Sequence, residues 1–193
     1  MRVFHALIVA LALVLPGPAL AQTPAAPVLL AADPSLSGPY EGTVLLVVPS
    51  GKDTHFGFVL NRPTSTPVAA ALPEVSSAAR VVSPVFAGGP FMRDTLFALA
   101  RSPHPPAEDA LEVLPGVYMA HGRDAAARFA ERVPTRARFY AGVVIWQRGE
   151  LQAELAAGHW AIAEPDVDLV VGGSADTLWQ RVLERLRTMV ALR

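Results

Sequence analysis

Two short stretches of the sequence offer polar side chains or unshielded backbone groups directly after an apolar run. In the first, Phe56–Leu60 alternates like a buried strand and is followed by Asn61-Arg62-Pro63. In the second, an apolar run ends in Gly88-Gly89-Pro90. Proline keeps the residue before it extended, and glycine leaves its backbone N–H uncovered. A guanidinium, an amide and bare N–H groups suit a carboxylate or phosphate.

We therefore predict that these two strand ends converge on one small anion-accepting pocket, rimmed by Asn61, Arg62, Gly88 and Gly89. Taken singly, each stretch is also compatible with an ordinary turn. A second alternative is that Arg62 pairs with an acid such as Glu150 or Asp94 and only locks the turn. Gly57, inside the first run, predicts that another backbone or a ligand comes close to that strand.

Two carboxylates form a second candidate set. Glu150 and Glu154 are four residues apart on a predicted helix after Gly149, so they share one helical face. Such a pair can bind a cation or act as acid and base. Acidic residues near a helix start also favour the helix dipole, which is a sufficient structural reason for them.

Other chemistry is poorly represented. The sequence has no cysteine, which excludes disulfides, thiolate metal sites and a cysteine nucleophile. The histidines after residue 21 are scattered singly, so no metal site and no cofactor are predicted. A basic stretch runs from Arg123 to Arg138. An anionic partner could dock there, but an Asp124–Arg128 pair on a solvated helix face is the simpler interpretation.

The first 21 residues have the pattern of a signal peptide. Arg2 is followed by an apolar run from Val3 to Leu15, and Ala19-Leu20-Ala21 is a cleavage site before Gln22. We therefore expect a periplasmic or secreted protein without a transmembrane segment after cleavage. Removing 21 of the 193 residues leaves 172, which is one ordinary domain over 22–193.

The overall charge excludes a strongly basic or acidic protein. The full chain carries 16 basic and 17 acidic side chains, a formal net charge of −1. This composition gives no general bias toward nucleic acid or anionic membranes.

Alternating and helical patterns predict an α+β domain with a mixed or antiparallel sheet and about four helices. The predicted strands are 28–32, 43–48, 56–60, 81–86, 95–100, 111–114, 117–120, 136–146 and 167–171. The predicted helices begin at caps Thr66, Asp124 and Ser174, with a further helix over 150–157. The last helix has an apolar stripe of Trp179, Val182, Leu183, Leu186 and Val190.

Together these motifs resemble the AlgH/YqgE family of uncharacterised bacterial proteins. The resemblance runs from about Val28 to about Leu186. It rests on the Asp33-Pro34 loop, Gly57–Pro63, Gly88-Gly89-Pro90, Trp146, Gly149-Glu150-Leu151, Glu154 and Trp160. It implies a bent sheet that folds into a pseudo-barrel with flanking helices, and it implies no enzyme activity. A role in transcriptional regulation has been attached to some members.

The chain departs from the family pattern in three ways. It carries a signal peptide, and the family's W-G-P-G-Q-L-E run is Trp146-Gln147-Arg148-Gly149-Glu150-Leu151-Gln152 here. A histidine often found after the Gly-Gly-Pro strand is absent, with Ala100 nearest. Because an exported protein does not reach DNA, we expect no direct DNA contact.

Two functions remain open from the sequence. One is a non-enzymatic binding or regulatory module that takes a small anionic ligand or a protein partner. The other is a cofactor-free hydrolase that uses Glu150 or Glu154 with Arg62.

Overall fold

The computed structural model describes residues 23–191, apart from the side chain of Val190. The predicted signal peptide over 1–21 and the predicted mature start at Gln22 lie outside the described residues. Val190, which closes the predicted apolar stripe, has no described side chain.

In the described part of the chain, nine strands form one curled sheet. They are β1 Val28–Ala32, β2 Val44–Gly51, β3 Thr54–Val59, β4 Phe86–Ala87, β5 Phe91–Arg101, β6 Leu111–Leu114, β7 Val117–His121, β8 Ala137–Trp146 and β9 Trp160–Ala163. The order is β6-β7-β5-β8-β3-β2-β1-β9, and β4 pairs with β8. The β4–β8 pair is parallel and all the other pairs are antiparallel. The predicted α+β class with a bent, mostly antiparallel half-barrel is confirmed.

The inner face of the half-barrel holds the main core. All nine strands contribute a buried apolar side chain to it, for example Leu46 from β2, Phe58 from β3 and Tyr140 from β8. Because successive side chains of a strand point to opposite faces, the same strands also bury residues on the outside. Two smaller clusters cover that outer face, and helices pack on both.

Within residues 23–191, five helices flank the sheet. They are α1 Val68–Ala71, α2 Arg123–Arg132, α3 Glu150–Ala156, α4 Val167–Val170 and α5 Ala175–Ala191, with 3-10 turns at Ser76–Arg80 and Pro134–Arg136. α2 packs on the outer cluster over β5, β7 and β8, and α3 packs on the one over β1, β2 and β8. α5 closes the inner core with Leu178 and Val182. Within residues 23–191, no helix is long and apolar enough to cross a membrane.

Two strand predictions are wrong. The run 167–171 is the helix α4, whose first backbone N–H groups are capped by Asp166: its side chain accepts a hydrogen bond from the Asp168 N–H. The edge strand next to β1 is instead β9, which the sequence did not predict. Of the run 81–86 only Phe86 is in a strand, the two-residue β4, because Pro84 lacks the N–H that a ladder needs. Val82 in that run is 93% exposed.

Two of the three predicted helix caps are shifted by one or two residues, whereas Ser174 directly precedes α5 as predicted. Pro67 rather than Thr66 occupies the N-cap of α1, without a side-chain hydrogen bond. Gly122 occupies the N-cap of α2, and Asp124 lies in its first turn. These shifts leave the positions of the helices unchanged.

Candidate functional site

The two strand ends predicted to converge do lie side by side. Pro63 forms an isolated antiparallel bridge with Phe86. The Ala87 N–H donates to the Arg62 carbonyl at 2.8 Å, and the Val59 N–H donates to the Gly88 carbonyl at 2.9 Å. The contact between the two stretches is therefore made by their backbones.

The side chains of the first strand end hold a neighbouring loop. The Asn61 amide accepts from the Val44 N–H and donates to the Gly42 carbonyl, both at 2.9 Å. The Arg62 guanidinium donates to the Glu41 carbonyl at 2.6 Å. Among residues 23–191, Arg62 takes part in no ion pair, so pairing with Glu150 or Asp94 is not what fixes it.

The glycines of the second strand end allow the backbone to cross directly against β8. A Cβ at Gly88 would lie 2.3 Å from the Gly142 carbonyl oxygen, and one at Gly89 would lie 2.1 Å from the Val143 carbonyl carbon. The Gly88 N–H is used, since it donates to the Ala141 carbonyl at 2.8 Å. Close backbone packing thus accounts for both glycines, and an anion pocket at these four residues stays a prediction.

A cleft of about 410 Å³ opens beside this junction. We call it the arginine cleft. Its lining comes from the segment after Arg62, the segments on both sides of Gly88-Gly89, and the start of α2, with one residue each from α1 and β8. The polar lining residues are Thr64, Thr66, Arg93, Asp94, Thr95 and Arg123. The Arg123 guanidinium donates two hydrogen bonds to the Glu74 carboxylate, at 3.1 and 2.7 Å, and a third to the Ala71 carbonyl. Arg93 is exposed and makes no ion pair within the described part of the chain.

A wide bulge in β5 places Arg93 in this cleft. Phe91 pairs with Val143 and Leu96 with Ala141, so the four residues 92–95 lie opposite Gly142 alone. Met92 has φ of 53°, which is uncommon for a residue with a side chain. Gly142 has φ of 80°, and a Cβ there would lie 2.5 Å from the Gly89 carbonyl oxygen. Glycine adopts such a φ readily, whereas the left-handed backbone of Met92 is of the kind that clusters at functional segments.

Glu150 and Glu154 lie together in a second cleft, of about 430 Å³, which we call the aromatic cleft. Four aromatic residues, two glutamates and three smaller apolar residues line it. The aromatic residues are Tyr40, Phe91, Trp146 and Trp160, and the glutamates are Glu150 and Glu154. Glu150 begins α3, and its carboxylate accepts from the Gln147 N–H at 2.8 Å. Its place at the helix start agrees with the structural reason given for it.

Glu154 is fixed by two indoles. Its Oε2 accepts from Trp146 Nε1 at 2.9 Å and from Trp160 Nε1 at 2.7 Å. The Tyr40 ring meets the Trp160 ring edge-on at 5.7 Å. Burial, and then the negative charge of Glu154, raise the pKa of Tyr40 above its usual value, so its hydroxyl is neutral at pH 7.

Gly57 makes room for this arrangement. A Cβ at Gly57 would lie 3.0 Å from the Trp146 ring and 2.5 Å from the Leu46 carbonyl oxygen. The predicted close approach at Gly57 is confirmed, with an indole as one partner and a neighbouring backbone as the other.

The inner core contains a buried polar pair on β8. Arg138 is 5% exposed and donates to the Gly172 and Gly173 carbonyls beyond α4, while its guanidinium lies over the Phe86 ring. Tyr140 is fully buried, and burial raises its pKa to about 12 despite the opposing effect of Arg138. Its hydroxyl has no hydrogen-bond partner among the described residues.

The basic stretch is largely paired, and with different partners from those predicted. Arg128 contacts Asp109 at 2.9 Å rather than Asp124. Arg132 donates to the Pro106 carbonyl, and Arg138 is inside the core. Within residues 23–191, no group of three or more histidine, aspartate or glutamate side chains is placed to hold a metal ion.

The AlgH-like family model, DUF179, matches residues 29–191. The chain belongs to this family. Members of the UPF0301 group from other bacteria are similar over most of their length. The one from Streptomyces avermitilis is 30% identical, covering 85% of this chain and 88% of that protein. The one from Ruegeria pomeroyi is also 30% identical, covering 82% and 89%.

Two solved structures share the fold of this AlgH-like chain. A Corynebacterium diphtheriae protein studied by crystallography has a TM-score of 0.71 at 20% identity, covering 85% of this chain and 88% of its own. The solution structure of AlgH from Pseudomonas aeruginosa has a TM-score of 0.70 at 23% identity, covering 86% and 91%. These matches establish the fold.

The sequence did not predict which residues line the two clefts. Arg93 and Phe91 follow the Gly-Gly-Pro turn directly, but only the bulge opposite Gly142 directs the two residues to different clefts. Tyr40 and Trp160 carry no local signal that they meet, because their contact depends on β9, which was not predicted.

Proposed function

We propose that this AlgH-like protein is an exported, non-enzymatic binding or regulatory module that takes a small anion in the arginine cleft. The observation that carries the proposal is the pair of guanidinium groups from Arg93 and Arg123 in one cleft, where Asp94 is the single carboxylate among the lining residues. Guanidinium groups with neighbouring donors suit carboxylates and phosphates. The cleft volume is within the range of small-molecule sites.

The two arginines play different parts in this proposal. Arg123 is oriented in advance by Glu74 and the Ala71 carbonyl, so it loses little freedom when a ligand binds. Arg93 lies on the bulge and is exposed, so it supplies the charge not already balanced by an ion pair. Asn61, Arg62, Gly88 and Gly89 are not among the residues that line this cleft. Gly88 and Gly89 contribute indirectly, because they let the backbone that leads into β5 and Arg93 cross closely against β8.

The hydrolase alternative is less well supported. It needs Arg62 beside Glu150 or Glu154, whereas the described hydrogen bond of Arg62 goes to the Glu41 carbonyl. The carboxylate of Glu154 is engaged by two indoles. We therefore propose ligand binding rather than hydrolysis.

Calorimetric titration with inorganic phosphate and with succinate tests the anion site. We expect saturable binding by wild type, weakened about tenfold or more in Arg93→Gln, since a charge-assisted hydrogen bond contributes roughly 1.5–3 kcal/mol. Arg148→Gln is the matched control, because Arg148 is exposed and lies outside the arginine cleft. It should bind like wild type.

Arg62→Gln distinguishes the two possible positions of the anion. If Arg62→Gln abolishes binding and Arg93→Gln does not, the anion lies at the strand ends that the sequence predicted. If wild type binds neither anion, the proposal is wrong.

A further inference from the structure

We propose that the aromatic cleft is a second, independent site that binds a small organic cation through its ammonium or guanidinium group. It lies on the other side of the β5 bulge from the arginine cleft: Phe91, before the bulge, lines the aromatic cleft, whereas Arg93 lines the arginine cleft. The two sites therefore differ in sign of charge and in lining.

The first argument is charge complementarity. Two carboxylates, Glu150 and Glu154, line the cleft, and no basic side chain is among its lining residues. No ion pair described within residues 23–191 involves either carboxylate. A cation would supply the balancing charge.

The second argument is the way Glu154 is held. Both indole N–H groups bond to the same oxygen, Oε2, at 2.9 and 2.7 Å. Within the described part of the chain, Oε1 has no hydrogen-bond partner and is not a buried unpaired atom. The carboxylate is thus oriented by the protein while one oxygen stays accessible to a donor.

The third argument is the aromatic lining. Phe91 is 51% exposed at the edge of the cleft, and Tyr40 is half-buried beside Trp160. Aromatic rings attract ammonium and guanidinium groups through their negative faces, and alkyl groups on the cation pack on the same rings. A cleft of about 430 Å³ accommodates a molecule of this size. An anion would be repelled by the carboxylates, and a purely apolar ligand would cover Glu154 Oε1 without offering it a donor.

Titration with choline and with spermidine tests the proposal, using calorimetry and tryptophan fluorescence in a Trp179→Phe background, where Trp146 and Trp160 are the remaining tryptophans. We expect saturable binding of at least one of the two amines. The control ligand is 3,3-dimethyl-1-butanol, which has the shape of choline without its charge. We expect it to bind at least about tenfold more weakly.

Variants locate the site. Glu154→Gln keeps an oxygen acceptor for the indoles, so the fold should be retained while amine binding falls roughly threefold to tenfold. Glu150→Gln and Phe91→Ala should weaken binding in the same direction. The matched control is Glu164→Gln, which removes an exposed carboxylate outside the cleft and should bind like wild type.

Four outcomes would overturn the proposal. One is the absence of saturable binding for both amines. Another is equal binding of choline and its uncharged analogue, which would make the cleft merely apolar. The third is an equal loss in Glu164→Gln and Glu154→Gln, which would indicate nonspecific attraction to surface charge. A lysine-containing peptide that binds where free amines do not would assign the cation to a protein partner and would overturn the small-molecule form of the proposal.

Discussion

The buried groups of Arg138 and Tyr140 show how single residues set the electrostatics of the half-barrel. Arg138 brings a positive charge into the core, where carbonyl oxygens and the face of Phe86 stabilise it instead of a carboxylate. Tyr140 lies two residues along the same strand and therefore faces the same interior. Its phenol must stay neutral there, since a charge without a partner is costly in the core.

Tyr140 therefore predicts a loss of stability at alkaline pH. In the unfolded chain a tyrosine ionises near pH 10, whereas in the folded protein the pKa of Tyr140 is about 12. Between these values the unfolded state releases a proton that the folded state keeps, so the free energy of unfolding falls as pH rises. We expect a loss of about 2–3 kcal/mol by pH 12. Urea unfolding at a series of pH values from 8 to 12 measures the free energy of unfolding and so this loss.

Tyr140→Phe is the matched variant for that measurement. It keeps the ring and removes only the ionisable hydroxyl, so its stability should decline less steeply above pH 10. If wild type and Tyr140→Phe show the same slope, ionisation of Tyr140 does not limit alkaline stability.

Helix α5 covers the inner core of the half-barrel. Leu178 and Val182 are buried, and Trp179, Leu183 and Leu186 are partly buried against the same core. The Trp179 indole also donates to the Ala32 carbonyl of β1 at 2.8 Å. The predicted apolar face of this helix is confirmed for its described members, but its most buried leucine is Leu178, which the predicted stripe omitted.

Substitutions on α5 should follow this order of burial. Leu178→Ala is expected to lower the free energy of unfolding by about 2–5 kcal/mol, because it leaves a cavity in the core. Leu183→Ala should cost less, since Leu183 is only partly buried, and Arg187→Ala should change stability by less than about 0.5 kcal/mol. Denaturant unfolding of the three variants measures this. Equal losses for Leu178→Ala and Arg187→Ala would show that α5 does not dock on the sheet in solution.

Elements with a strong local pattern could be predicted from the sequence, and those that depend on distant partners could not. The alternation in β8 and the period of α5 are local, so both were found. The run 167–171 has apolar residues that fit a strand equally well, and only the cap at Asp166 distinguishes the helix. The pairing of Glu150 with Glu154 was predictable from their spacing. Their meeting with Tyr40 and Phe91 was not, because it requires the register of β9 and the bulge opposite Gly142.

At the scale of the whole molecule, the prediction to test is export, because an exported protein does not act as a cytosolic regulator. We predict that the native protein begins at Gln22, because Ala19-Leu20-Ala21 precedes it in the pattern of a cleavage site. N-terminal sequencing or mass spectrometry of protein isolated from the periplasm or the medium measures this. A native protein that retains Met1 or Arg2 would contradict export by this route.

The position of β1 between β2 and the edge strand β9 has a consequence for the order in which the chain can fold. β1 pairs on one side with β2, the next strand made, and on the other side with β9. Its last residue is also bonded to Trp179, 147 residues further along the chain. Pairings between such distant residues form slowly, and a chain is synthesised from its N-terminus. The sheet therefore remains open at β1 until β9 and α5 have been synthesised, so this side of the sheet is the last to close.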